Sequence, residues 1–246
     1  MEEHIGKALR AARQAQGISL RTFAADTGIS ASLLSQVENG KSYPSVGTLY
    51  VLVSKLGVSL DELFGLDVHS AGVPDDRQHA APEPAVAGSP GLLIQRAADN
   101  PALTMEGGVR WERLASFDDG LVEALLVTYP GGAGSSGEGA LMRHSGFEFA
   151  YLLEGALTLT LEFDRHELAA GDSFCFDSTR PHLYVNHARE TARGLWYVIG
   201  RNAPENTRER LSDVIAQVSA GKGAHLDVVR RLTGKDVSAD AALSGS

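Results

Sequence analysis

Cysteine is almost absent from this chain of 246 residues: Cys175 stands alone, so no internal disulfide can form. That fits a reducing compartment, and the strand-like context DSFCFD gives the expectation of a buried apolar thiol rather than a reactive one. Long apolar runs are missing too. No stretch reaches the roughly 18 residues of a membrane span, and the opening MEEHIGKALRAARQAQG is charged rather than a basic patch leading into an apolar core. Neither a membrane partner nor a secretory signal is expected, and the protein is expected to be cytoplasmic. Excess positive charge is also lacking, since the formal net charge is −9, which at first argues against a nucleic-acid partner.

Charge counted by segment changes that picture. Through residue 66 the basic Lys7, Arg10, Arg13, Arg21, Lys41 and Lys55 balance the acidic Glu2, Glu3, Asp26, Glu38, Asp61 and Glu62, so the remainder carries the whole deficit. A neutral module can still present a basic face, with Arg10, Arg13, Arg21 and Lys41 as its candidates.

Composition divides the chain further, and its length suits two domains. Helical patterns occupy residues 1–66. Residues 67–90, DVHSAGVPDDRQHAAPEPAVAGSP, lack apolar periodicity and read as a flexible linker. From 91 to 200 come short β-type runs such as VEALLVTY, EFAYLLEGALTLTLEF and GLWYVIG, split by turn signals, a density that predicts a barrel or sandwich. Residues 201–246 form a C-terminal extension, with Leu211, Val214, Ile215 and Val218 at one-face helical spacing and a polar tail. No internal repeat is present.

The first segment contains two short helices in succession. Ser19 is a good N-cap for LRTFAADT, which Gly28 stops, and Ser30 caps ASLLSQVE, whose apolar face is Leu33, Leu34 and Val37. Ala31, Ser32, Ser35 and Gln36 are left pointing outward. Such a pair, joined by a short glycine-containing turn, is what a helix-turn-helix needs to place its second helix in a major groove.

Residues 4–65 resemble the phage-repressor-like helix-turn-helix domains of bacterial xenobiotic-response-element-type regulators. The resemblance rests on the helix spacing, the Glu-Asn-Gly-Lys turn at 38–41, Pro44, the Leu-Gly-Val at 56–58 and the Leu-Phe at 63–64. It implies that Ser30, Ala31, Ser32 and Gln36 lie against DNA, with Gln36 suited to adenine. Arg21, Asn39 and Lys41 take phosphate-facing positions.

In the second segment, LMRHSGFEFAYLLEG carries Met142, His144 and Glu148, and LAAGDSFCFDSTRPHLYVN carries His182. Alternation along strands lets Met142, His144 and Glu148 face one interior if the Ser145-Gly146 bend keeps phase, and His182 joins them from a neighbouring strand. Two imidazoles and one carboxylate suit a facially coordinated divalent metal, often non-haem iron.

This half resembles the cupins, small β-barrels with two motifs. His144, Glu148 and Gly155 match the later part of the first, and Gly171, His182 and Asn186 the second. Met142 replaces a family His, while Asp177 and Thr179 replace the usual Pro and Gly. Two outcomes remain open: a divalent transition metal held by His144, Glu148 and His182, or a metal-free barrel that binds a small molecule directly. Met142, His144, Glu148, Phe176, His182 and Tyr184 are the candidate effector-contacting residues, whereas His166 and His187 fall outside the motifs.

The two resemblances together imply a multidomain α + β fold, with a five-helix lambda-repressor-like domain followed by a cupin double-stranded β-helix. They imply a transcription regulator rather than an enzyme, with no catalytic residue assigned. Its partners are a double-stranded DNA operator, a small-molecule effector and a second copy of the chain in a homodimer. The alternative is a cupin metalloenzyme carrying a helix-turn-helix, since hydroxyalkylphosphonate epoxidases look alike in order and in their His, Glu, His set. Against it, Arg143 and Arg180 flank inward positions and should point away from any phosphonate.

Overall fold

The computed structural model describes residues 3–65, 92–115, 121–201 and Asp213; the expected linker and most of the C-terminal extension lie outside the described residues. Apart from Asp213, all described residues belong to one compact unit, Met1–Asn202.

Five helices come first: α1 (Glu3–Ala15), α2 (Leu20–Thr27), α3 (Ala31–Glu38), α4 (Val46–Leu56) and α5 (Leu60–Phe64). Serine starts four of them. Ser19, Ser30, Ser45 and Ser59 each accept a hydrogen bond from the backbone N–H three residues on, which satisfies an orphan donor and contributes about 1 kcal/mol per cap. Gly28, Gly57 and Gly65 end helices in the left-handed conformation. Leu9, Phe23, Leu34, Leu49, Leu52 and Leu63 are fully enclosed between the helices.

One cation leaves the surface. Arg13 is buried and forks onto Glu38, with Nε 2.6 Å from Oε1 and Nη2 2.7 Å from Oε2, while its Nη1 donates to the Ile18 carbonyl. Arg13 is therefore not part of an exposed basic face; charge counting cannot separate a buried pair from two surface charges. Arg10, Arg21 and Lys41 are exposed.

Nine antiparallel strands follow: β1 (Ala102–Thr104), β2 (Arg110–Arg113), β3 (Val122–Tyr129), β4 (Phe147–Glu154), β5 (Ala156–Leu161), β6 (Asp164–Ala169), β7 (Ser173–Asp177), β8 (His182–Val185) and β9 (Ala192–Ile199). They form a six-stranded sheet in the order β1-β2-β3-β9-β4-β7 and a three-stranded sheet in the order β6-β5-β8. The described architecture is thus an α + β chain, helical first and β-rich second. The bend between β4 and β5 requires glycine: Gly155 has φ of 78°, and a Cβ there would lie 2.5 Å from the Thr191 carbonyl oxygen.

Strand register corrects the expectation for Cys175. On β7 the alternation turns Phe176 inward and leaves Cys175 exposed on the outer face, beside Phe149 of β4. An apolar-looking run did not reveal which face the thiol takes.

The helical part sits directly on the β part. The Gly47 N–H, in the first turn of α4 where no intrahelical acceptor exists, donates to the Ser135 carbonyl at 3.1 Å, and the Glu106 N–H donates to the Pro44 carbonyl at 3.0 Å. Arg113 on β2 binds Asp61 on α5 with Nε 2.6 Å from Oδ1.

Candidate functional site

Two places gather the residues singled out by sequence. The first is the exposed face of α3. Ala31, Ser32 and Gln36 are exposed, Ser35 is half-buried, and Leu34 and Val37 are buried while Leu33 packs partly against the core. Ser30 is tied as the helix cap. Asn39 closes the other end: its Nδ2 donates to the Ser35 carbonyl at 2.7 Å and its Oδ1 accepts from Arg10 at 3.4 Å. The Asn39 side chain therefore holds the end of α3 and draws Arg10 to that edge. Lys41 follows in the turn, and Arg21 is exposed at the start of α2.

The second is the interior of the barrel. Glu148 points inward from β4, His182 opens β8, and His144 lies in the segment before β4, turned inward because Gly146 (φ 102°) makes the bend ahead of the strand. All three are buried, and their ligand atoms lie within 4.8 Å of one another. His144 Nε2 is 2.7 Å from Glu148 Oε1, and His182 Nε2 is 3.2 Å from the same oxygen. The Tyr184 hydroxyl donates to the other oxygen, Oε2, at 2.5 Å. Met142 pairs its backbone with His182 in both directions and is buried beside the cluster; Phe176 meets His182 edge-on with centroids 4.9 Å apart.

Second-layer hydrogen bonds fix the imidazoles. His144 Nδ1 lies 3.1 Å from the Ser145 carbonyl and His182 Nδ1 lies 2.8 Å from the Arg180 carbonyl. A carbonyl only accepts, so each Nδ1 carries its proton, and in the neutral rings both Nε2 lone pairs face Glu148 Oε1. His182 Nε2 has no hydrogen-bond partner although it is buried. A divalent cation where the three atoms converge settles all of them at once, so the donor set fits such an ion.

Electrostatics agree with that fit. Burial pushes the Glu148 carboxyl up, but the His144 and His182 imidazoles converging on it override burial and hold the carboxyl well below the usual range. Burial pulls His182 down, yet the Glu148 carboxylate outweighs it and raises the imidazole. Burial and the same carboxylate push the Tyr184 hydroxyl far up, so it stays a donor.

The remaining motif residues lie away from this centre. Arg143 is exposed, and Arg180 binds Glu162 at 2.9 Å, so neither approaches the cluster as a phosphonate ligand would have to. His166 and His187 are exposed. Asn186 is structural: it donates to the Tyr129, Pro130 and Glu190 carbonyls and accepts from the Ala188 N–H.

Sequence reasoning missed the aromatic wall around the centre. Tyr50, Trp111, Tyr129 and Trp196 line the same small cavity as Glu148 and Tyr184. Tyr50 belongs to α4, and its ring stacks on His144 with centroids 4.0 Å apart and planes 18° apart. The available signal was Gly47, a glycine inside a helix where another backbone comes close; a Cβ there would lie 3.3 Å from that of Met142.

Known proteins divide along the same lines. Residues 9–63 match the helix-turn-helix family and residues 125–198 the cupin domain family. The HTH-type transcriptional regulator PuuR of Escherichia coli is 28% identical over 199 residues, covering 81% of this chain and 94% of that protein. A crystal structure of an HTH_3 family transcriptional regulator from Vibrio cholerae shares the fold with a TM-score of 0.53 at 22% identity, over 80% of this chain and 96% of that one. The hydroxypropylphosphonic acid epoxidase of S. wedmorenis gives a TM-score of 0.38 at 18% identity over 80% of this chain and 97% of its own, too loose a likeness to bear on function. The chain thus carries a helix-turn-helix match followed by a cupin match, and over 81% of its length it is similar to an HTH-type transcriptional regulator.

Proposed function

We propose that the protein is a cytoplasmic transcription regulator that reads double-stranded DNA through α3 and senses a small molecule in its barrel. The observation that carries the DNA half is the exposed face of α3, where Ala31, Ser32 and Gln36 are open to solvent, with Arg21 near the start of α2 and Asn39 and Lys41 just after α3 exposed as well. Gln36 offers the amide that pairs with adenine N6 and N7, and Lys41 offers charge to a phosphate. Small side chains at Ala31 and Ser32 let the helix backbone approach the groove floor closely, with thymine methyl groups as their natural contacts.

In the barrel, His144, Glu148 and His182 would hold a divalent transition metal. Such an ion supplies open coordination positions for an oxygen- or nitrogen-bearing ligand. Around it Tyr184 fixes the Glu148 carboxylate, and Met142 and Phe176 close the apolar side. Regulation is favoured over catalysis because Arg143 is exposed, Arg180 is held by Glu162 and Arg201 by Glu123, which leaves none of the three to hold an anionic substrate at the cluster, and the regulator from Escherichia coli aligns over 81% of this chain. A homodimer through the barrel half is part of the reading: Tyr151, Leu153 and Tyr197 leave an apolar patch on the outer face of the neighbouring strands β4 and β9.

The test is selection of duplexes from a random pool by the full chain, followed by metal analysis of protein purified without chelator. An enriched sequence that Gln36→Ala reads less selectively supports the proposal. No enrichment, together with a redox metal in the barrel, favours the enzyme.

A further inference from the structure

The barrel centre is not walled by the barrel alone. Val46 and Tyr50, both on α4 of the helix-turn-helix domain, line its cavity opposite Glu148, Tyr184 and Trp196. Tyr50 is buried between partners. One ring face stacks on His144, Trp111 tilts against it at 5.4 Å, and the Arg201 guanidinium lies 5.8 Å from its centroid. Arg201 is itself fixed by Glu123, with Nε 2.7 Å from Oε1.

The free space inside is about 10 Å³, room for about one water molecule. Glu148 borders this space from the metal-ligand cluster, and a ligand larger than water has to move a wall to enter it. Most walls are locked: Trp111, Tyr129 and Trp196 sit on the continuous β2-β3-β9 ladder, and Tyr184 is bonded to Glu148. Met142 is held by its backbone pairing with His182, and the wall that is left, α4, is a separate element that touches the barrel through side chains and the Gly47 N–H. Residues 39–45 join it to α3, and α1 and α2 each pack against both α3 and α4, so a shift of α4 reaches the DNA-facing helix through them.

Resting on the regulator and metal readings above, we propose that α4 is the lid of the barrel centre and that Tyr50, stacked on His144, is the positioning residue through which the DNA-binding domain responds to what enters. Exchange of the Tyr50 ring for a ligand on that side of His144 is the event that α3 feels.

Two measurements on the untagged full chain test this. The first loads cobalt(II) and follows its visible spectrum with free imidazole as the probe ligand. Tyr50→Leu, which keeps apolar bulk but removes the ring, should bind imidazole about tenfold tighter than wild type. Tyr50→Phe, which restores the ring, should return to wild-type behaviour. Equal imidazole affinity in all three overturns the lid.

The second compares affinities for a duplex selected by the wild type across a cycle of Tyr50→Leu, His144→Gln and the double variant. His144→Gln should change affinity by about fivefold or more alone and by less than about twofold in the Tyr50→Leu background. No effect of His144→Gln, or effects that simply multiply, overturn the coupling. Protein that binds duplex but no cobalt refutes the metal reading alone, and the cycle still decides; protein that binds cobalt but no duplex refutes the regulator reading and the coupling, while the imidazole arm still decides the lid. Protein that takes neither overturns the readings beneath and the lid with them.

Discussion

On α3, Ala31, Ser32 and Gln36 lie exposed on one helix face, whereas in the barrel His144, Glu148 and His182 are buried and each imidazole Nδ1 is already spent on a backbone carbonyl. The first arrangement suits a macromolecule whose recognition groups arrive from outside. The second suits a small ligand or ion that must match groups already aimed. A binding face on a surface helix needs only a rigid support, and the buried Arg13–Glu38 fork supplies part of it. A buried centre needs a complete shell, and Tyr50 shows the shell drawing on the other domain.

Removing the support is the most severe way to break this comparison. Arg13→Ala leaves Glu38 buried without its partner and should destabilise the helical domain by ~3–5 kcal/mol, read by thermal or urea unfolding. The barrel's metal content in the residual folded protein should not change. Loss of metal alongside stability would mean the two regions are not separable at this level.

Next in size is the loss of the carboxylate. Glu148→Gln keeps the shape but not the charge, and metal content after dialysis should fall to that of a His144→Ala, His182→Ala control. Retention of stoichiometric metal would remove Glu148 from the ligand set.

At the helical face the effects are smaller and differ in kind. Gln36→Ala should weaken binding to a selected duplex by ~1–3 kcal/mol and relax preference at one base pair, while Lys41→Ala should weaken all sequences alike and lower the salt slope by about 1. Equal losses for Gln36→Ala on selected and scrambled duplexes would make Gln36 a backbone contact.

The smallest expected effect is on pH dependence. In metal-free protein the depressed Glu148 carboxyl contributes stability above the ordinary carboxylate range, lost as pH falls below it. The raised His182 contributes stability below the ordinary imidazole value, lost as pH rises through its raised one. Metal-free barrel stability should therefore peak on the acid side of neutrality. Metal competes with the His182 proton, so metal-loaded protein should instead gain stability as pH rises through that range. Parallel pH profiles with and without metal would argue that the ion sits elsewhere.

The two regions also differ in how far the sequence revealed them. Helix limits were legible because Ser19, Gly28 and Ser30 act within a few residues of where they stand. The barrel centre was legible because alternation and one glycine bend suffice to turn His144 and Glu148 inward. Arg13 and Glu38 were not, since a buried ion pair and two surface charges have the same composition. Cys175 was misjudged because one residue of register decides its face. Tyr50 was invisible for a further reason: within α4 it reads as core, and its partner His144 stands in another domain of the chain.

The most direct measurement of the central claim is selection of duplexes from a random pool by the intact chain at fixed salt. The account predicts an enriched site with two related half-sites about 10 base pairs apart, as a dimer presenting two α3 helices requires. Uniform recovery of all sequences, from protein whose barrel binds metal normally, would contradict it.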